Sequence, residues 1–253
     1  MESIIKNLRY GQCNLVNCPN KELNRKDKII FNNVIKLVNI KQTYDFYEQE
    51  LYIVKKFQKL FHDLPKYNSE QIFGIKTHYD LSKLEDYNYK SLIKYARYLN
   101  KKYNLSIDIN YIYKIRASFL DLTLKLKDYI NMPRPYQLLP YYPHIKVKVE
   151  YSVTSYSGST PSGHCFAAIF IGYLIYLAEF NFFDNNLDEM SRLINISLDI
   201  GYHRNMAGIH FLYDNYISYL LFKEIIKVYK YDNKNKYLKS LENKLNKVFK
   251  IYQ

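Results

Sequence analysis

The sequence predicts an all-α protein, a single-domain helical bundle interrupted by one long connection at about 134–160. Three observations carry that expectation. Apolar residues return every three or four positions along most of the chain, the spacing of one helix face. Gly and Pro number only seven each in 253 residues, too few for the turns of an all-β fold. Residues 165–180 are apolar throughout except for Glu179, the composition of a helix surrounded by other helices.

In chain order, residues 1–25 are polar and interrupted and read as an irregular N-terminal segment, leaving 26–253 as the domain. Residues 46–60 and 81–103 read as amphipathic helices. Ile112, Ile115, Phe119, Leu122 and Leu126 alternate steps of three and four, one stripe on one long helix that ends near Ile130, ahead of Pro133. The connection at 134–160 is long for a compact domain, as functional segments often are. Its tyrosines, from Tyr136 to Tyr156, are expected to rim a site. Within it, residues 145–153 alternate as a short strand or hairpin arm would. Residues 162–180 form the central helix and 187–204 the next, with a break at Gly208. Ser197 and Gly201 share a face with Arg204 and let a neighbouring helix come close. Residues 210–229 and 237–249 complete the set. The heptad-like spacing of Leu238, Leu241, Leu245 and Val248 suits packing on the chain's own domain or a homodimer contact.

The net charge of +13 fits an anionic partner: a phosphate ester, nucleic acid or an acidic membrane surface touched peripherally. Overuse of Lys, Asn, Ile and Tyr (29 Tyr, no Trp) gives a plainer account of part of that charge. Cys13, Cys18 and Cys165 are too few for a disulfide framework, and no histidine near Cys13 and Cys18 completes a metal site. The N-terminus lacks the pattern of a secretory signal. The longest apolar run, 16 residues, is shorter than the roughly 20 a spanning helix needs. These features together lead us to expect a soluble, intracellular protein with reduced thiols.

Three segments carry chemistry. In "KDYINMPRP", Lys127 and Arg134 are seven apart, close to two helical turns, so one helix would show both on one side. In "STPSGHCF", Ser159 or Thr160 can cap a helix whose first turn offers the N–H groups of Ser162, Gly163 and His164 to an anion. In "YHRNMAGIHFLYD", Arg204 is followed by His210 and then Asp214, i and i+4 on a helix face, where a carboxylate fixes the tautomer of an imidazole. Each segment alone has a plainer reading: solvated cations, an ordinary cap, a surface pair.

In this order and spacing the three resemble the signature of the phosphatidic acid phosphatase type 2 / vanadium haloperoxidase superfamily. That signature is Lys, six residues, Arg-Pro; Pro-Ser-Gly-His; then Ser-Arg, five residues, His, three residues, Asp. It is met at Lys127, Arg134, Pro135, Pro161, Ser162, Gly163, His164, Arg204, His210 and Asp214. The segments look most like the soluble class A acid phosphatases. Two features depart from them: His203 stands where Ser or Gly is usual, and class A enzymes are exported.

The resemblance implies an all-α phosphatase that needs no metal or other cofactor. It implies His210 as nucleophile, Asp214 as its orienting partner and His164 as general acid. Lys127, Arg134, Ser162, Gly163 and Arg204 would hold the phosphate of a small-molecule or lipid ester. Specific nucleic-acid binding is not expected. Vanadate should inhibit. It would be prosthetic only in the alternative reading, a vanadate-dependent haloperoxidase with His210 as ligand. A second alternative is a non-catalytic protein that binds anionic ligands.

Overall fold

A computed structural model of the chain describes residues 22–38, 42–62, 89–149, 157–231 and 235–252; it is helical over most of them, with no strand among them. The all-α expectation holds. Most of the segment expected to be irregular, residues 1–21, and part of the helix expected at 81–103, residues 81–88, lie outside the described residues.

The helices are α1 (Arg25–Leu37), α2 (Tyr44–His62), α3 (Lys90–Tyr103), α4 (Ile109–Ala117), α5 (Leu120–Ile130), the short α6 (Pro135–Leu138), α7 (Gly163–Ala178), α8 (Phe180–Asn185), α9 (Leu187–Met206), α10 (Leu212–Val228) and α11 (Lys236–Phe249). Helix α7 is the axis of the fold. Twelve consecutive residues from Cys165 to Tyr176 are buried, and α3, α4, α8, α9, α10 and α11 all pack on it. A fully buried Phe or Leu contributes about 1.5–3 kcal/mol, so this one helix organises much of the apolar stabilisation.

The closest approach is between α7 and α9. A Cβ on Gly172 would fall 2.1 Å from Ser197 Oγ, and one on Gly201 would fall 2.8 Å from Cys165 Sγ. Ser197 and Gly201 thus do what their spacing foretold. Residues 238–248 lie against the chain's own core, with Leu241 and Leu245 buried and Leu238 and Val248 partly so.

Four expectations need correction. The stripe from Ile112 to Leu126 belongs to two helices. Ser118 Oγ donates to Ile115 O, ending α4, and Phe119 turns inward against Phe170 and Tyr229. The alternation at 145–149 is not a strand. Ile145 is buried, but the N–H and C=O of Lys148 pair with the side-chain amide of Gln58 (3.0 and 2.6 Å) instead of with another strand. The connection after Arg134 begins with α6 and a 3₁₀ turn, Leu139–Tyr141. Its Tyr142 does not rim a site: it is buried and stacks on Tyr44, centroids 4.4 Å apart.

Candidate active site

Helix α5 ends at Asn131, whose left-handed backbone (φ 46°) lets its N–H bond Lys127 O. Arg134 is therefore not on the helix of Lys127, as the seven-residue spacing suggested. It lies beyond the turn and heads α6, its own N–H bonded to the Gln137 side chain (2.8 Å). The two cations still converge. Lys127 Nζ donates to Gly158 O (2.8 Å) and Ser159 O (3.0 Å). Arg134 Nε donates to Ser157 O (2.9 Å) and Nη1 to Ile209 O (3.1 Å). Backbone carbonyls from both later motifs thus fix these side chains.

The cap of α7 is Ser162, with its Oγ accepting from Cys165 N (3.3 Å); neither Ser159 nor Thr160 caps the helix. Ser159 (3.1 Å) and Thr160 instead donate their hydroxyls to Asp214 Oδ1. Gly163 opens the helix beside Lys127: a Cβ there would lie 3.9 Å from Lys127 Cε. First-turn N–H groups and an ammonium therefore face one spot, the arrangement that suits an anion.

Arg204 is in the last turn of α9 and fully buried. The chain then reverses at Gly208, where φ is +69° and a Cβ would collide with Lys148 O at 2.5 Å; only glycine fits. His210 follows in this turn, before α10, not on a helix as its i, i+4 relation to Asp214 suggested. The contact forms nonetheless: His210 Nδ1 is 2.9 Å from Asp214 Oδ2, which also accepts from Phe211 N (2.9 Å). A carboxylate at Nδ1 holds the proton there. The lone pair on Nε2 is left facing Arg134 Nη1 at 3.3 Å.

The electrostatics agree with that tautomer. Burial pushes the His210 imidazole well below its ordinary value, and the cations of Arg134, Lys127 and Arg204, with His164, push it further. It is neutral at pH 7. Burial also raises the Asp214 carboxyl, to about 6, against the lowering effects of Thr160, the Phe211 N–H, Lys127 and Arg134. Burial likewise depresses the Lys127 ammonium, with Arg134 adding to the effect. For the buried cations Lys127 and Arg134, a bound oxyanion would offset the cost of burial. His164 differs from them in being only half-buried, with its ring 5.8 Å from that of Tyr89.

The motifs did not reveal several residues that hold the site. Asn205 Nδ2 donates to His210 O (3.0 Å), and Asn215 Nδ2 donates in turn to Asn205 Oδ1 (2.5 Å). Ser218 Oγ lies 2.6 Å from Asp214 O and 2.9 Å from Ser162 O, tying α10 to the mouth of α7. Glu50 on α2 is 1% exposed; it accepts from Tyr213 N (3.2 Å) in the first turn of α10 and pairs with the hydroxyl of Tyr252. The small polar residues flanking Arg204 and Asp214 were a readable hint. Glu50 gave none. No group of three His, Cys, Asp or Glu side chains suited to a metal occurs among the described residues. No helix among them is long and apolar enough to cross a membrane.

A helical domain built around α7 gathers three cations and a buried His–Asp pair near the first turn of that helix, a setting that suits an anion. The PAP2 superfamily model matches residues 110–230, just under half of the chain but the part that holds all ten motif positions. Its members are generally phosphatases that act on phosphate esters. No curated protein and no solved structure matches the chain.

Proposed function

We propose that the protein hydrolyses a phosphomonoester, of a small molecule or a lipid, without a metal and through a phosphohistidine. The observation that carries this reading is the buried, neutral His210: its Nδ1 is held by Asp214 and its Nε2 is turned toward Arg134. Lys127, Arg134 and Arg204, with Ser162 and the Gly163 N–H, take the non-bridging oxygens, where charge must be held in the transition state. His210 Nε2 attacks phosphorus. The ester P–O bond breaks, and its electron pair leaves on an alkoxide that His164 protonates. His164 then takes a proton from water, the water oxygen attacks phosphorus, and the P–N bond breaks to release phosphate and neutral His210.

Vanadate adopts the five-coordinate geometry of this transition state, so it should bind about 10²-fold or more tightly than substrate, while phosphate inhibits weakly. The experiment is an inhibition series in chelator-treated buffer. Full activity with chelator and strong competition by vanadate are expected. Activity that vanishes with chelator and returns with a divalent ion rejects the mechanism.

A further inference from the structure

Beside His164 the fold builds a feature that none of the three motifs includes. Tyr89 precedes α3 with φ 48° and ψ 43°, a left-handed conformation that bulky residues seldom adopt. It is buried, 5% exposed, and its ring packs 5.8 Å from the ring of His164. Arg116, in the last turn of α4, donates Nη2 to Tyr89 OH (3.0 Å) and lays its guanidinium 5.1 Å from the centroid of the same ring.

Arg116 is half-buried, and among the described residues its guanidinium pairs with Tyr89 and with no carboxylate. Among the described residues, one of its five N–H donors is committed. The rest of the fork suits a planar or tetrahedral oxyanion. Lys127 and Arg134 are buried and fixed by backbone carbonyls, whereas Arg116 is half-buried and lies against Tyr89, on the His164 side. A cation laid over a buried ring and bonded to its hydroxyl is held in place, an end-stop for a charge.

We propose that Arg116 and Tyr89 form a second anion subsite on the leaving-group side, selecting phosphomonoesters whose alcohol portion carries a further phosphate or carboxylate. The proposal rests on the reading above, in which the alcohol departs past His164. Held on two sides by Tyr89, the guanidinium loses little freedom on binding, so its charge translates into selectivity.

The test compares kcat/KM for three probes: propyl phosphate, propane-1,3-diol bisphosphate and 3-(phosphonooxy)propanoate. At least one doubly anionic probe should exceed propyl phosphate by about tenfold, the effect of one charge-assisted hydrogen bond and well above the twofold statistical gain of a bisphosphate. A preference for only one of them still supports the subsite and identifies its oxyanion. Arg116→Gln should bring the ratio close to one. Arg116→Lys should keep part of it, because a point charge replaces the fork. A ratio near one in the wild-type protein overturns the subsite. So does a ratio that survives Arg116→Gln, or an equal loss on all probes in that variant. Failure of the wild-type protein to turn over propyl phosphate or an aryl phosphate overturns the phosphatase reading itself, a different result.

Discussion

On one side of the first turn of α7, Lys127, Arg134, Arg204, His210 and Asp214 are all buried; on the other, His164 is half-buried against Tyr89, near Arg116. The buried side is over-determined. Arg134 alone is tied to the backbone at residues 157 and 209, and Asp214 accepts from two hydroxyls and a backbone N–H. On the open side, the described contacts are ring packing of Tyr89 on His164 and a side-chain hydrogen bond from Arg116. Rigidity is concentrated where the phosphoryl group, the same in every ester, would sit. Latitude is left where one alcohol differs from another.

Variants of the buried side should therefore be severe and indifferent to substrate. His210→Ala should lower turnover by at least about 10⁴-fold and abolish phosphoenzyme labelling, because the variant lacks the proposed attacking nitrogen. Labelling that persists in this variant would remove His210 from its role. Changing Lys127, Arg134 or Arg204 to Ala should cost about 10²–10³-fold in kcat, the loss seen for a preorganised donor. Arg134→Lys should also be poor, because Nε and Nη1 bond carbonyls in different directions. Wild-type kinetics in the Lys variant would break the claim that this side is over-determined.

On the open side the penalty should depend on the alcohol. His164→Ala should cost about 10²-fold with a simple alkyl phosphate and far less with an aryl phosphate, whose leaving group needs little protonation. Equal losses on the two would mean that His164 is not the acid and that the two sides are not divided as described.

The smallest effect concerns Glu50, behind the buried side. Burial raises its carboxyl to about 7, against lowering by Tyr252 and the Tyr213 N–H. An unfolded Glu titrates near 4.3, so between about pH 4.3 and 7 the unfolded chain releases a proton that the folded one keeps. Stability from this group is complete below that window and lost as pH rises through it. Melting temperature should fall across the window, and Glu50→Gln should flatten the fall by about 3 kcal/mol. An unchanged pH profile in the variant would show that Glu50 is ionised throughout.

The sequence disclosed the helical class and the motif residues because both are written in short-range pattern: three-and-four spacing, and fixed intervals between Lys127 and Arg134 or His210 and Asp214. It misplaced what depends on the backbone between pattern points. A seven-residue interval is the same whether a helix spans it or Asn131 turns it, and the Ile112 stripe keeps its rhythm across the turn at Ser118. The hydroxyls of Ser159 and Thr160 suited a cap equally well on paper. Asp214, brought to them by α10, takes them instead. Glu50 was beyond reach, since its contact with Tyr213 spans 163 residues and no local signal announces it.

Cys165 sits where α7 meets α9, its sulfur pressed on Gly201 and 4.0 Å from Asn215 O. Burial keeps its thiol protonated far above the usual range. A thiol reagent can reach it only when α7 comes away from α9 and α10, where Asn215, the start of the Asn215–Asn205–His210 chain, is its neighbour. Its alkylation rate is thus a clock for excursions of the molecule, counting opening events on the scale of hydrogen exchange. Ligands that fill the proposed phosphate site should slow that clock in proportion to their affinity for the closed form.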